Sequence, residues 1–163
     1  MPQRSRGKLA LILLILLLLQ FYMRPRLWDS RAAPDFVMLG LLIYATRARP
    51  GAAAVAGFFT GLMMDSLGPS RFGAAALANT VVGYLAASGR SVFFADNLLV
   101  HAGFIWGGVW LRDLIVLLAS GVSGRVLLWQ LAVWSPLQGL TTAVVGVLIL
   151  VMFRDWLAIR LEA

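Results

Sequence analysis

The sequence predicts an all-α fold, a polytopic membrane helical bundle of about six transmembrane helices built as a single integral-membrane domain over residues 1–163. Three observations lead there. Hydrophobic residues make up 61% of the chain, well above the roughly 45–50% of soluble domains, and mean hydropathy is +0.87. Apolar runs of helical length recur along the chain. The basic residues stand mostly between those runs. In a soluble domain a net charge of +7 would point to nucleic acid. Here the basic residues read as topological anchors in a lipid bilayer, and no nucleic-acid partner is expected. The absence of cysteine excludes disulfides and thiolate metal sites.

The first apolar run covers residues 9–23, between Arg4, Arg6 and Lys8 on one side and Arg24 and Arg26 on the other. Such a pattern resembles a secretory signal. The nearest small-x-small site, Ser30-Arg31-Ala32, lies beyond an arginine-rich stretch, which disfavours cleavage. Snorkelling by Lys8 and Arg24, with Tyr22 and Trp28 at the interface, extends the run to a retained span. Pro34-Asp35-Phe36 then opens a second helix that continues to Thr46. Proline suits a first helical turn, and a carboxylate there is favoured by the helix dipole. Arg47-Ala48-Arg49-Pro50-Gly51 breaks the chain.

The third helix covers residues 52–67 and closes at Gly68-Pro69-Ser70-Arg71. The fourth covers 73–88, with Asn79, Thr80 and Gly83, and a polar linker occupies 89–97. The fifth covers 98–120 and contains Arg112 and Asp113. Gly121 to Arg125 begins a loop, and the last helix covers 134–153. The shortness of helices two and three leaves two readings open, six spans or four spans with a re-entrant pair. With the N-terminus in the cytoplasm, Arg4, Arg6, Lys8, Arg47, Arg49, Arg90, Arg154 and Arg160 lie inside. Arg24, Arg26, Arg31, Arg71 and Arg125 lie outside. The larger basic group favours cytoplasmic N- and C-termini.

The most informative segment is a stripe of small residues ending in a carboxylate. Ala53, Gly57, Gly61 and Asp65 recur in steps of four, near one helix face. Gly57 and Gly61 allow another helix to approach closely in lipid, either helix four of the same bundle or a partner's helix. Asp65 is expensive in hydrocarbon unless it faces protein, water or the interface. The topology brings Asp65, Arg71, Arg112 and Asp113 to similar depth. Either some of them pair, because unpaired charges there cost several kcal/mol, or Asp65 and Arg71 reach the headgroups while Arg112 and Asp113 snorkel or face a partner.

Catalytic constellations are scarce. Gly121-Val122-Ser123-Gly124 resembles the nucleophile segment of rhomboid proteases, but a serine hydrolase needs a base. The single histidine, His101, precedes the serine, whereas the rhomboid arrangement has it on a later helix. One histidine without cysteine makes no metal-ligand cluster, and there is no phosphate-cradling loop. No enzyme activity, metal or cofactor is expected. Trp106, Trp110, Trp129, Trp134 and Trp156 read as interface anchors or packing groups.

Gly57-Phe58-x-x-Gly61-x-x-x-Asp65, followed by Gly73, Leu77 and Tyr84-Leu85, resembles the central signature of the MreD family of rod shape-determining proteins. Pro34-Asp35-Phe36 with the apolar run to Tyr44 is similar to that family's second helix, and Asp113 falls where the family tends to carry a membrane-embedded acid. The resemblance spans nearly the whole chain. It implies a non-catalytic scaffold in the bacterial inner (cytoplasmic) membrane, within the machinery of cell elongation and lateral peptidoglycan synthesis. Its implied partners are an MreC-like bitopic protein, RodA, a class-B penicillin-binding protein and MreB. Asp65 and Asp113 would be structural or interface residues, with Arg112 and Arg71 as counter-charges. The layout of six short helices also resembles the substrate-binding subunits of energy-coupling-factor micronutrient transporters. In that reading Asn79, Thr80, Gln130 and Gln138 are the polar side chains available to line a pocket.

Overall fold

The computed structural model describes residues 3–23, 26, 31–67, 72–89 and 98–152, and these residues form six helices. They are α1 (Gln3–Tyr22), α2 (Phe36–Ala45), α3 (Pro50–Leu67), α4 (Ala74–Ser88), α5 (Leu98–Ala119) and α6 (Gly124–Met152). Among the described residues there is no strand. Of the six, α5 and α6 are both long and apolar enough to cross a membrane, while the apolar parts of α1, α2 and α4 are shorter.

Several boundaries differ from the sequence reading. α1 starts ahead of its apolar run because Arg and Lys are good helix formers. α3 takes Pro50 as its first residue, where the missing N–H has no helical partner to lose. The larger correction concerns the last helix, which begins at Gly124 and not at Trp134, so the expected loop is about three further turns of helix. Pro136 lies inside this helix. Its effect is absorbed by a π-helical segment, Gln130–Trp134, in which the Ser135 N–H bonds back to the Gln130 carbonyl. Pro136 has no N–H to offer, so the Leu131 carbonyl lacks a backbone donor. Trp110 supplies one from α5 through Nε1 at 3.2 Å. One turn further in, Trp106 Nε1 donates to the Pro136 carbonyl at 3.1 Å. These two tryptophans join α5 to α6.

α2 is the axis of the bundle. It is apolar on every side, all its residues except Tyr44 are buried, and it touches each of the other five helices. A helix hydrophobic all round belongs in an interior. α1 lies against it where Gly40 admits Leu13 and Leu16. α3 and α4 form the closest pair. A Cβ at Gly57 would meet the Asn79 carbonyl, one at Gly61 would meet the Ala75 carbonyl, and one at Gly83 would come within 2.6 Å of the Ala53 carbonyl. Backbone therefore approaches backbone along this seam, with glycine contributed by both helices.

The exterior is apolar. Leu18, Phe59, Leu77, Leu99 and Leu148 are each more than half exposed, whereas Asp35, Asp65, Asn79, Gln138 and Thr142 are buried. A soluble monomer rarely shows so continuous an apolar surface around so polar an interior. Lipid is the solvent that suits it.

Candidate functional site

Two carboxylates hold the end of the bundle where α2 and α4 begin. Asp35 has an extended backbone ahead of α2, and its Oδ1 accepts the Met38 N–H at 2.9 Å. This side chain is the N-cap of α2. The Asp35 N–H itself donates to Thr142 Oγ1 at 3.0 Å, and the Thr142 hydroxyl donates to the Gln138 carbonyl at 2.7 Å. Next to it, the Phe36 N–H donates to Gln20 Oε1 of α1 at 3.0 Å. The Thr141 hydroxyl donates to the Ala32 carbonyl at 2.7 Å. The start of α2 is thus tied to α1 and α6 by polar side chains, which satisfy groups that hydrocarbon cannot.

Arg112 of α5 enters the same site. Its Nη1 lies 3.0 Å from Asp113 Oδ1 and 3.4 Å from Asp35 Oδ2. One guanidinium therefore stands between two buried carboxylates and joins α5 to α2. Buried charges persist in this form, paired and hydrogen-bonded.

Asp65, at the end of α3, forms a second arrangement. Its Oδ2 accepts the N–H groups of Gly73 (3.0 Å) and Ala76 (2.9 Å), and Oδ1 accepts that of Ala75 (3.0 Å). The N-cap of α4 is Gly73, at φ +98°, which has no side chain to cap with. Asp65 does so from the neighbouring helix. Its charge faces the positive end of the α4 dipole and three otherwise unsatisfied donors.

The residues singled out from sequence therefore fall into two groups. Gly57, Gly61 and Asp65 make the α3–α4 seam, whereas Arg112 and Asp113 lie with Asp35. Arg71 lies outside the described residues. Asp35 is the residue that sequence reasoning undervalued: its position before α2 marked a helix start, but nothing local connects it to Arg112. Of the polar residues considered for a pocket, Asn79 is buried against α3, and the Thr80 hydroxyl donates to the Ala76 carbonyl at 2.6 Å. His101 lies near the start of α5 and Ser123 beyond its far end, as the N-cap of α6, so most of the length of α5, roughly 27 Å at 1.5 Å per residue, stands between them and they do not form a catalytic pair.

What the arrangement does is clamp helices to one another inside an apolar shell, which defines the class as an all-α bundle of membrane-protein character. The chain belongs to the MreD family: the family model of rod shape-determining protein MreD matches residues 5–159. Membership makes it a membrane protein with a role in rod-shape determination. No curated protein and no solved structure matches the chain.

Proposed function

We propose that this protein is a non-catalytic scaffold of the cell-elongation machinery in the bacterial inner membrane, binding the transmembrane helix of an MreC-like bitopic protein. RodA, a class-B penicillin-binding protein and MreB are the further members of that assembly. The observation that carries the reading is the family match across almost the whole chain. It is supported by the use of the buried acids, which are engaged by backbone N–H groups and by Arg112 and hold helices together.

The surface offers a seam for such a helix. Lipid provides no hydrophobic drive between helices, so close packing of small residues must supply affinity. Gly57 and Gly61 of α3 and Gly83 of α4 are covered by the facing helix backbone, and Gly139 and Gly146 of α6 by Trp106 and Ile105. Gly103 and Gly107, one turn apart on α5, have nothing within 4 Å of where a Cβ would stand. Leu99, on the same face, is 79% exposed. This spacing repeats that of Gly57 and Gly61, and it was legible in the sequence by the same rule. A transporter subunit would instead need polar groups around a cavity, whereas the buried Asn79 and the partly buried Thr80 lie at the contact of α3 with α4. Cytoplasmic chain ends are favoured by the larger group of basic residues on that side.

The test is purification of the chain from native membranes in mild detergent, with mass spectrometry of whatever accompanies it. A bitopic protein with an extracytoplasmic domain, retained by wild type and lost from G103L/G107L, is the expected result. Recovery of ATPases, a coupling subunit and a bound micronutrient would overturn the scaffold in favour of transport.

A further inference from the structure

A groove runs along the side of the bundle between α1 and α3, with α2 as its floor. Its volume is about 420 Å³, and Leu13, Leu17, Val37, Leu41, Tyr44 and Ala56 contribute to its walls. That size falls within the roughly 300–1,000 Å³ of small-molecule sites, yet the walls are almost wholly apolar. Thr60 lines it too, but its hydroxyl is turned back onto the carbonyls of Ala56 and Gly57 at 2.9 and 3.0 Å. The Tyr44 hydroxyl is then the polar group that the groove offers. Its occupant must be apolar along its length.

Charge lies at one end. α2 runs from Phe36 towards Tyr44, and the chain continues to Arg47 and Arg49 in the turn before α3. α1 runs the opposite way, since Gln20 bonds Phe36 while Leu13 and Leu16 meet Gly40. The first turns of α1, which carry Arg6 and Lys8, therefore come to the same end as Arg47 and Arg49. Arg49 is exposed there, and Arg47 is partly buried. At the opposite end, Asp35 and Asp65 are buried, Arg26 lies over the Tyr22 ring at 4.7 Å and Arg31 over the Trp134 ring at 5.5 Å.

We propose that the groove binds an anionic phospholipid, an acyl chain lying along α2 and the phosphate at Arg47 and Arg49. Basic residues at a membrane surface attract anionic headgroups, and the groove adds a fixed apolar seat beside them. A transmembrane helix fits the groove less well. It would need small residues for close approach, whereas the walls carry leucines and Tyr44, and the one glycine of the floor, Gly40, is already covered by Leu13. The groove is lined by α1, α2 and α3, shares no residue with the α5 seam and does not depend on what binds there.

The test uses the full chain in detergent, titrated with phosphatidylglycerol and phosphatidylethanolamine of identical acyl chains and read by native mass spectrometry. Phosphatidylglycerol is expected to be retained in preference by about tenfold. R47Q/R49Q and R49Q alone should reduce that preference, R125Q should leave it intact, and A56F, which fills the groove, should reduce retention of the lipid. A photoreactive residue at Val37 should acquire a lipid mass. Equal retention of the two lipids by the folded wild type overturns the proposal, as does an equal loss with R125Q. Capture of a polypeptide at Val37 in place of lipid overturns it as well and makes the groove a helix-docking site.

Discussion

Asp65 Oδ2 accepts the backbone N–H of Ala76 at 2.9 Å, so a carboxylate at the end of α3 starts the helix that follows it. Ala75 and Gly73 add two further bonds to the same side chain. A charge that hydrocarbon would exclude is thereby held by donors that α4 would otherwise leave unsatisfied. The end of α3 is joined to the start of α4, and their register is set where Gly61 meets Ala75.

Removing this cap should be costly. D65A leaves three N–H groups without a charged acceptor, and a loss of about 2–4 kcal/mol is expected. D65N, which keeps one acceptor oxygen, should lose less. Thermal unfolding in detergent reads both, with the exposed Ser66→Ala as the reference. A D65A midpoint equal to that of S66A would show that α4 starts without help from α3.

The two glycine seams should respond oppositely. At Gly61 a Cβ would lie 2.5 Å from Ala76 Cα, so G61L should prevent α3 from closing on α4 and abolish recovery of folded protein. G107L should fold normally, because nothing stands within 4 Å of that Cβ position. Size-exclusion profiles of the two variants decide it, and normal elution of G61L would contradict the backbone contact.

Arg112 should matter more than either of its partners suggests alone. R112M leaves Asp35 and Asp113 buried without their cation, for an expected loss of about 3–5 kcal/mol. R112M/D113L should be no worse than R112M, since the second change removes one of the stranded charges. A double-mutant cycle measures the coupling. Additive losses would mean that the two side chains do not act as a pair.

Trp110 and Pro136 should also be coupled. W110F leaves the Leu131 carbonyl without its donor, at about 1–3 kcal/mol. In a P136A background the new N–H can reach that carbonyl, so the same change should cost less. Equal costs in both backgrounds would separate the tryptophan from the π-helical segment.

Much of the fold was legible because its signals are local. Apolar runs, flanking arginines and the Pro50 and Gly73 breaks locate α1 to α5 to within a few residues. The start of α6 was hidden because Gly121 to Arg125 reads as a loop and nothing local shows that a helix continues through Pro136. Only the long-range bonds from Trp106 and Trp110 show how the helix passes through it. The candidate site was half legible. The four-residue spacing of Gly57, Gly61 and Asp65 marks a close contact, and the rarity of charge in apolar runs marks Arg112 and Asp113.

By itself, the sequence determined the solvent, the number of helices and which residues are too polar or too small for lipid to ignore. Those properties follow from transfer free energy and backbone geometry, both of which act over a turn or two. Tertiary structure decided the partners. It brought Asp35 to Arg112, gave Asp65 to α4, covered Gly57 and left Gly103 open, because each depends on which helix faces come together across the bundle. No local pattern encodes that choice, since lipid favours one apolar face about as much as another.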